Sequence, residues 1–201
     1  MKNGIKESYN KICNQWCEFR NSRPINKCIV DFASSLKPNA RILDVGCGAG
    51  YPIDSYLTKK GFNVTGIDIS EEMIKRAKQL NLQNSSFFVG DILNFKSNEK
   101  YDAIIAFDSI WHFNHDKQEE IYSIISSLIL PGGLFIFTHG KEDGEIFGTM
   151  WGEKFYHSAL SLKKLYQVLN KNGFEIVSSI ENYFEETTGD RDLLMIVKKK
   201  W

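Results

Sequence analysis

The chain has 201 residues, of which 42% are hydrophobic and 25% charged, as expected of a globular domain and not of a disordered chain. Lysine plus arginine and aspartate plus glutamate both number 25, so the formal net charge is zero and a nucleic-acid partner is not expected. No apolar stretch approaches the roughly 20 residues of a membrane span, and the N-terminus lacks the apolar core of a signal peptide. We therefore expect a cytoplasmic protein whose cysteines are reduced.

Short apolar strands alternate with amphipathic helices along the chain, a pattern typical of an α/β sheet with mainly parallel strands. Helices are predicted at residues 51–60, after Ser70, at 117–130 and at 161–172. Met73, Ala77 and Leu80 are predicted to share one buried helix face. The Pro-Gly-Gly run at 131–133 is predicted to end the helix before it. The predicted strands lie at residues 41–45, 62–69, 86–90, 101–108, 134–138, 174–180 and 192–200.

The last two predicted strands are separated by the polar residues 181–191, a connection too short for a helical crossover. The segment 192–198 is therefore predicted to pair antiparallel with its neighbours. We predict a single domain over residues 1–201. Within it, residues 1–40 are expected to form an N-terminal helical cap, and about 139–160 a substrate-side insertion.

A glycine-rich turn follows the first predicted strand in the stretch "LDVGCGAG". Glycine tolerates left-handed backbone and lets a ligand approach the main chain, and ligands of such sheets bind beyond the carboxyl ends of the strands. Asp68 ends the second strand about 20 residues later, where a carboxylate can accept hydrogen bonds from both hydroxyls of a ribose. Asp91 ends the third strand, where its carboxylate can accept from an adenine amine while Ile92 packs on the ring.

Asp44, the glycine turn, "GIDIS", "GD" at 90–91 and "PGG" at 131–133 together resemble the class I S-adenosylmethionine-dependent methyltransferases. The likeness is greatest to the small-molecule branch that includes ubiquinone-biosynthesis-like enzymes. It covers about residues 41–137 and extends more loosely to 200. The resemblance implies a Rossmann-like seven-stranded mixed sheet of strand order 3-2-1-4-5-7-6, with strand seven antiparallel and helices on both faces.

The resemblance also implies how S-adenosylmethionine would bind. The turn would hold its methionine portion beside Asp44, Asp68 would bind the ribose, and Ile69 would flank the adenine. Phe107 and Asp108 would border the sulfonium. The residues expected to bind the cofactor are Asp44, Gly46, Cys47, Gly48, Gly50, Asp68, Ile69, Asp91, Ile92, Phe107 and Asp108.

The implied activity is transfer of a methyl group to a small-molecule acceptor by in-line displacement. His112 and His139, which follow two strands, are the candidate catalytic bases. His112 and His115 form an HxxH pair without a third placed ligand, so no metal is expected. Aromatic residues that could form an acceptor pocket, or could simply pack the covering segments onto the sheet, are Trp16, Trp111, Trp151 and Tyr156.

Three other functions remain possible from the sequence alone. A nicotinamide-dependent oxidoreductase would use a similar glycine turn, but 201 residues leave no room for its substrate domain. A nucleic-acid methyltransferase usually carries an Asn/Asp-Pro-Pro-aromatic run after strand four, where this chain reads "FDSIW". A non-catalytic methyltransferase-like binding module would keep the same cofactor residues. The acceptor is not predicted, and the chain is expected to be a monomer or a homodimer.

Overall fold

The computed structural model describes residues 4–186 and 188–201 of the chain. Two helices, α1 (Ile5–Asn21) and α2 (Lys27–Ser34), precede a seven-stranded sheet. The remaining elements, in chain order, are β1 (Arg41–Val45), α3 (Ile53–Lys59), β2 (Asn63–Asp68), α4 (Glu71–Gln79), β3 (Ser85–Val89), β4 (Tyr101–Ala106), α5 (Gln118–Leu128), β5 (Ile129–His139), β6 (Gly144–Met150), β7 (Glu153–Ala159), α6 (Leu162–Lys171), β8 (Phe174–Glu185) and β9 (Gly189–Lys199).

The main sheet has the order β3-β2-β1-β4-β5-β9-β8, while β6 and β7 form a separate two-stranded sheet. When these two hairpin strands are left out of the numbering, the order is the predicted 3-2-1-4-5-7-6. Strands β1 to β5 run parallel, and β9 is antiparallel to both β5 and β8. The predicted polar connection is shorter than expected, because β8 and β9 extend into residues 181–191 and pair there as a hairpin.

Helices cover both faces of the sheet, as predicted. On one face, α5 and α6 bury Tyr122 and Leu165 against Phe135 and Phe137 of β5. On the other face, α2 and α3 pack on the neighbouring strands, where Phe32 joins a second buried cluster. The central strands are apolar along nearly their whole length because side chains on both of their faces are buried.

Three local predictions were wrong. Helix α5 ends at Leu128, and Ile129 already pairs with Tyr101, so the Pro-Gly-Gly run lies inside β5 at a register shift instead of ending the helix. Leu80 is 40% exposed because it follows the last turn of α4, whereas Met73 and Ala77 are buried as predicted. Helix α3 begins at Ile53, two residues later than predicted.

The predicted insertion at about 139–160 contains a β-hairpin that was not predicted from the sequence. Strands β6 and β7 pair over seven residues each and are joined by Trp151 and Gly152, whose φ angles are 48° and 84°. Two successive positive φ angles are typical of the tight turns that close two-residue hairpins, where Asn-Gly is the usual signal. Tryptophan in the first of these positions gave no such signal.

Within residues 4–186 and 188–201, no helix is both long and apolar enough to cross a membrane.

Candidate functional site

A deep pocket lies at the carboxyl ends of β1, β2 and β4, beneath helix α1. Its empty space, with the open solvent at its mouth included, is about 950 Å³. The residues predicted to bind a cofactor line it together, with the exception of Gly50. That glycine has a φ of 76°, and its α-carbon faces Ala77, Leu80 and Phe87 instead of the pocket. Gly50 therefore contributes to the backbone conformation of the turn and not to the pocket lining. The predicted residues that line the pocket are Asp44, Gly46, Cys47, Gly48, Asp68, Ile69, Asp91, Ile92, Phe107 and Asp108.

The glycine turn is held in a conformation that side chains would oppose. Gly46 has a φ of 81°, and a Cβ placed there would lie 2.3 Å from the Cβ of Ser109. The amides of Gly46 and Cys47 both donate to the carbonyl of Ile67, at 2.8 and 3.0 Å. Because these bonds join the turn to the end of β2, the main chain is fixed against the neighbouring strand and presents its surface to the pocket.

Asp68 is fixed by two backbone amides. Its Oδ2 accepts from the amide of Gly48 at 2.9 Å, and its Oδ1 accepts from the amide of Ser70 at 2.8 Å. Burial raises the pKa of Asp68 to about 6, although these hydrogen bonds oppose the rise. Each oxygen keeps a further lone pair, so the ionised carboxylate can still accept bonds from two ligand hydroxyls.

Two buried carboxyls lie behind the turn. Asp44 is 2% exposed and lines the pocket, whereas Asp54, on α3, is fully buried. Neither oxygen of Asp54 has a hydrogen-bond partner among the described residues. Burial and the neighbouring Asp44 raise the pKa of Asp54 well above its usual range, and burial raises that of Asp44 to about 7. Of the pair, Asp44, which faces the pocket, therefore ionises more readily than Asp54.

Helix α1 forms the roof of the pocket with Tyr9, Trp16 and Arg20, of which the sequence analysis had named only Trp16. The hydroxyl of Ser8 donates to the carbonyl of Lys154 on the hairpin at 2.9 Å. Asn10 bonds Ser70, the residue that caps α4. The roof is thus joined on one side to the hairpin and on the other side to the edge of the sheet.

Arg20 carries a buried charge that faces the pocket. It is 8% exposed, and its only hydrogen bond to a described residue is a long one of 3.5 Å to Oδ1 of Asn26. Burial lowers the pKa of Arg20, while the nearby carboxylates of Asp108 and Asp44 raise it. A guanidinium has five N–H donors, so Arg20 has donors left for an anionic group of a ligand.

Asp108, which follows β4, is paired within the protein. Nε and Nη2 of Arg191 donate to Oδ1 and Oδ2 of Asp108 at 3.0 and 2.7 Å. Asp108 has a φ of 54°, and its amide donates to the hydroxyl of Thr138 at 2.7 Å. This bidentate ion pair fixes the end of β4 and occupies both carboxylate oxygens of Asp108.

The structure brings one of the two candidate bases to the pocket. His112 lines it and is 6% exposed, with its two ring nitrogens at 2.8 Å from the carbonyl of Tyr156 and the hydroxyl of Tyr9. Burial lowers the pKa of His112 to about 3. His139 is fully buried at the end of β5 and does not line the pocket; burial lowers its pKa to about 4. Neither histidine has the pKa of a base suited to neutral pH.

The four predicted acceptor-pocket aromatics do not form one wall. Trp16 lines the pocket, and Trp151 meets its ring edge-on from outside. Trp111 donates to His112 at 3.3 Å, and the hydroxyl of Tyr156 accepts from the amide of His115. Trp111, Trp151 and Tyr156 therefore support the residues that line the pocket and do not line it themselves.

No cluster of three or more potential metal ligands occurs within the described part of the chain. In the HxxH pair, His115 pairs with Asp143 at 3.2 Å, whereas His112 bonds Tyr9 and Tyr156.

A family model described as a methyltransferase domain matches residues 36–188, which include the whole glycine turn and Asp68. The chain belongs to the class I S-adenosylmethionine-dependent methyltransferases. This confirms the predicted family, and with it the Rossmann-like fold class and S-adenosylmethionine as the cofactor of the family. The ubiquinone-biosynthesis-like branch stays a prediction.

The methyltransferase has relatives with several different acceptors in their names. It is 28% identical over 188 residues to malonyl-[acyl-carrier protein] O-methyltransferase of Bacillus anthracis, covering 85% of this chain and 68% of the relative. It is 39% identical to squalene methyltransferase 1 of Botryococcus braunii over half of this chain, but spans only 28% of that relative. It likewise spans 47% of the carboxy-S-adenosyl-L-methionine synthase of Campylobacter fetus.

Solved structures share the fold of this methyltransferase. The magnesium protoporphyrin IX methyltransferase of Synechocystis, solved with bound S-adenosylmethionine, superposes with a TM-score of 0.74 at 18% identity, covering 98% of this chain and 95% of that one. A TehB-like methyltransferase of Corynebacterium glutamicum superposes with a TM-score of 0.71 at 20% identity, covering 97% and 98%. At these identities the likeness concerns the fold alone.

Proposed function

We propose that the chain is an active methyltransferase that moves the methyl group of S-adenosylmethionine to a small-molecule acceptor by in-line displacement. The observation that supports this most is that the amide-bonded Asp68 and the glycine turn face one pocket. Family membership argues against a nicotinamide-dependent oxidoreductase. The relatives named above carry different acceptors in their names, so none of these acceptors is transferred to this chain.

The residues of the pocket fit each part of this cofactor. Asp68 accepts from the ribose hydroxyls, while Ile69 and Ile92 pack against the adenine. Asp91 uses Oδ1 for the amide of Leu93, which leaves Oδ2 for the adenine amine. A Cβ at Gly90 would meet no heavy atom within 4 Å, so the main chain is open to the base at that point.

The methionine end of the cofactor carries an ammonium, a carboxylate and the sulfonium. The charge on Asp44 attracts the ammonium, and the spare donors of Arg20 bind the carboxylate. Asp108 and the ring of Phe107 border the sulfonium. The bound cofactor supplies a methyl group already activated by the positive sulfur. The protein therefore contributes mainly alignment, which can lower a barrier by roughly 7–11 kcal/mol.

Among the described pocket residues that have no proposed cofactor contact, none is a strong general base, since Asp44, Asp68 and Asp91 are all engaged by the cofactor in this proposal. His112 has a pKa of about 3 and both its ring nitrogens are occupied. Asp108 is held by Arg191. Because no pocket residue outside these cofactor contacts can readily remove a proton before transfer, the acceptor must bring an available lone pair at neutral pH.

Calorimetric titration of the dialysed protein with S-adenosylhomocysteine and, separately, with NADH tests the cofactor assignment. We expect S-adenosylhomocysteine to bind and NADH not to bind; the reverse result would refute the proposal. A screen of small molecules for release of S-adenosylhomocysteine then tests turnover. Binding without release from any acceptor would favour the non-catalytic binding module.

A further inference from the structure

Tyr9 and His112 lie 103 positions apart in sequence and meet in the pocket, with Tyr9 Oη 2.8 Å from His112 Nε2. The other ring nitrogen, Nδ1, lies 2.8 Å from the carbonyl of Tyr156. A carbonyl only accepts, so Nδ1 carries the ring proton and Nε2 is a bare acceptor. The Tyr9 hydroxyl must therefore donate to His112.

This direction determines what Tyr9 offers to a ligand. Its single proton is used on His112, so the lone pairs of Oη are the part of the hydroxyl left to face the pocket, which both residues line. Burial raises the pKa of the Tyr9 hydroxyl well above its usual range, and the charges of Asp68 and Asp108 add to the rise. The phenol of Tyr9 therefore stays neutral. The negative charges near it favour a ligand group that donates a hydrogen bond to Oη.

The surroundings of the pair make it rigid. Tyr9 packs edge-on against Trp16 and Phe155, with ring centroids 6.0 and 5.0 Å apart. The indole of Trp111 also donates to Nε2 of His112, at 3.3 Å. A hydroxyl held in this way is suited to place a ligand atom, because little further order is lost when it binds.

We propose that Tyr9 receives the acceptor nucleophile through its lone pairs, that His112 is a positioning residue acting through Tyr9, and that the acceptor is an amine. This inference rests on the proposed methyltransferase function. An amine that is neutral when it binds, any ammonium proton having passed to bulk water beforehand, donates an N–H to Tyr9 Oη and keeps its own lone pair for the methyl group. The nucleophile needs no negative charge of its own.

The transfer step balances without a base. The nitrogen lone pair forms the new N–C bond while the C–S bond breaks and its electrons pass to sulfur. The products are a methylated ammonium and the neutral thioether, and the surplus proton leaves later to water. An alcohol would require a base, and the pocket carboxylates with pKa values near neutrality, Asp44 and Asp68, are engaged by the cofactor in this proposal. A carboxylate would face the lone pairs of Tyr9 in the field of Asp68 and Asp108, although Arg20 would attract it if it were not occupied by the cofactor.

Matched probes test the acceptor class on the whole chain saturated with S-adenosylhomocysteine or S-adenosylmethionine. Aniline and 4-ethylaniline are neutral amines at pH 7. Aniline is compared with phenol and benzoate, and 4-ethylaniline with 4-ethylphenol and 4-ethylbenzoate. We expect the amine of a set to bind and to be methylated at least about tenfold better than its partners. A preferred phenol or acid, equal use of all three, or no binding of any probe would overturn the inference. Failure of S-adenosylhomocysteine itself to bind would instead refute the proposed function.

Variants test the roles of the two residues. Tyr9→Phe removes one hydrogen bond and should lower kcat/KM for the amine by about 5- to 150-fold, while the affinity for S-adenosylhomocysteine changes less than about threefold. His112→Gln, which can still accept from Tyr9, should retain most of the activity, and His112→Leu should match Tyr9→Phe. Tyr166→Phe, on α6 and outside the pocket, also removes one tyrosine hydroxyl hydrogen bond and is the matched control.

A readout on the unaltered protein covers the case in which a variant fails to fold. Nitrogen-15 NMR of the histidine side chains should show the ring of His112 protonated at Nδ1 alone, with no titration between pH 5 and 8. Titration in this range or a proton on Nε2 would overturn the proposed direction of the hydrogen bond. So would an equal loss of S-adenosylhomocysteine affinity and amine turnover in Tyr9→Phe.

Discussion

Asp68→Ala separates the stability of the fold from the affinity for the cofactor. The substitution leaves the amides of Gly48 and Ser70 without their carboxylate, at a cost of about 1–3 kcal/mol each. It also removes a carboxylate whose folded-state pKa is raised from 3.8 to about 6. This shift of about 2 units means that ionised Asp68 opposes folding by at most about 3 kcal/mol above pH 6, because one pH unit corresponds to about 1.4 kcal/mol. The loss of about 2–6 kcal/mol for the two amides and this gain of at most about 3 kcal/mol offset each other in part.

The effect on binding is not offset. Two ribose hydroxyls lose a charged acceptor, at about 1.5–3 kcal/mol each, so we expect the affinity for S-adenosylhomocysteine to fall by about 10²- to 10⁴-fold. The free energy of unfolding at pH 7.5 should change by less than about 3 kcal/mol. Calorimetric titration and urea denaturation measure the two quantities. Asp116→Ala, an exposed residue that does not line the pocket, is the control. Affinity within threefold of the unaltered protein would refute the assignment of Asp68.

The affinity for S-adenosylhomocysteine should rise between pH 5 and 7, because only the ionised carboxylate of Asp68 accepts bonds from both hydroxyls. The rise should reach about tenfold per pH unit below the Asp68 pKa of about 6. An affinity that calorimetry shows to be independent of pH in this range would contradict the prediction. Gly46→Ala forces a side chain into left-handed backbone and to 2.3 Å from Ser109, so urea denaturation should show a loss of about 2–5 kcal/mol, and unchanged stability would contradict the turn geometry. Arg20→Gln should lower the affinity for S-adenosylhomocysteine about 10- to 150-fold, and that for 5′-methylthioadenosine, which lacks the carboxylate, less than about threefold. Equal losses of affinity for the two ligands would exclude a carboxylate contact. Leu165→Ala, fully buried on α6, should cost about 2–5 kcal/mol of stability and leave cofactor affinity unchanged, and a lower affinity would indicate that the α6 face is coupled to the site.

The sheet and the cofactor side of the pocket could be predicted because their signals are local. The geometry of the turn from Gly46 to Gly50, and that of the strand that ends at Asp68, can each be predicted from a few neighbouring residues. Parallel strands then bring these segments to one edge without further information. The same reasoning failed at Leu80 and at the Pro-Gly-Gly run, where the end of a helix depends on which strand register the following residues adopt.

The histidines illustrate the opposite case. His112 and His139 both follow strands and looked equivalent in sequence, yet only His112 lines the pocket. His139 lies at the very end of the long β5, whose pairing with Leu193 of β9 keeps it within the sheet. Which of two similar residues reaches a site depends on where a strand stops, and a single sequence reports strand ends poorly.

The roof of the pocket depends on contacts that no local pattern contains. Ser8 bonds a residue 146 positions away, and Tyr9 bonds one 103 positions away. The pattern of α1 predicts a helix but not the face of the sheet that it will cover, so Tyr9 and Arg20 were missed. This division has a consequence for the proposed site: apart from Arg20, the proposed cofactor contacts lie at the locally encoded edge of the sheet, whereas Tyr9, the proposed acceptor contact, lies in the roof. Family likeness therefore identifies the methyl donor, and identification of the acceptor requires the contacts that α1 makes in this particular chain.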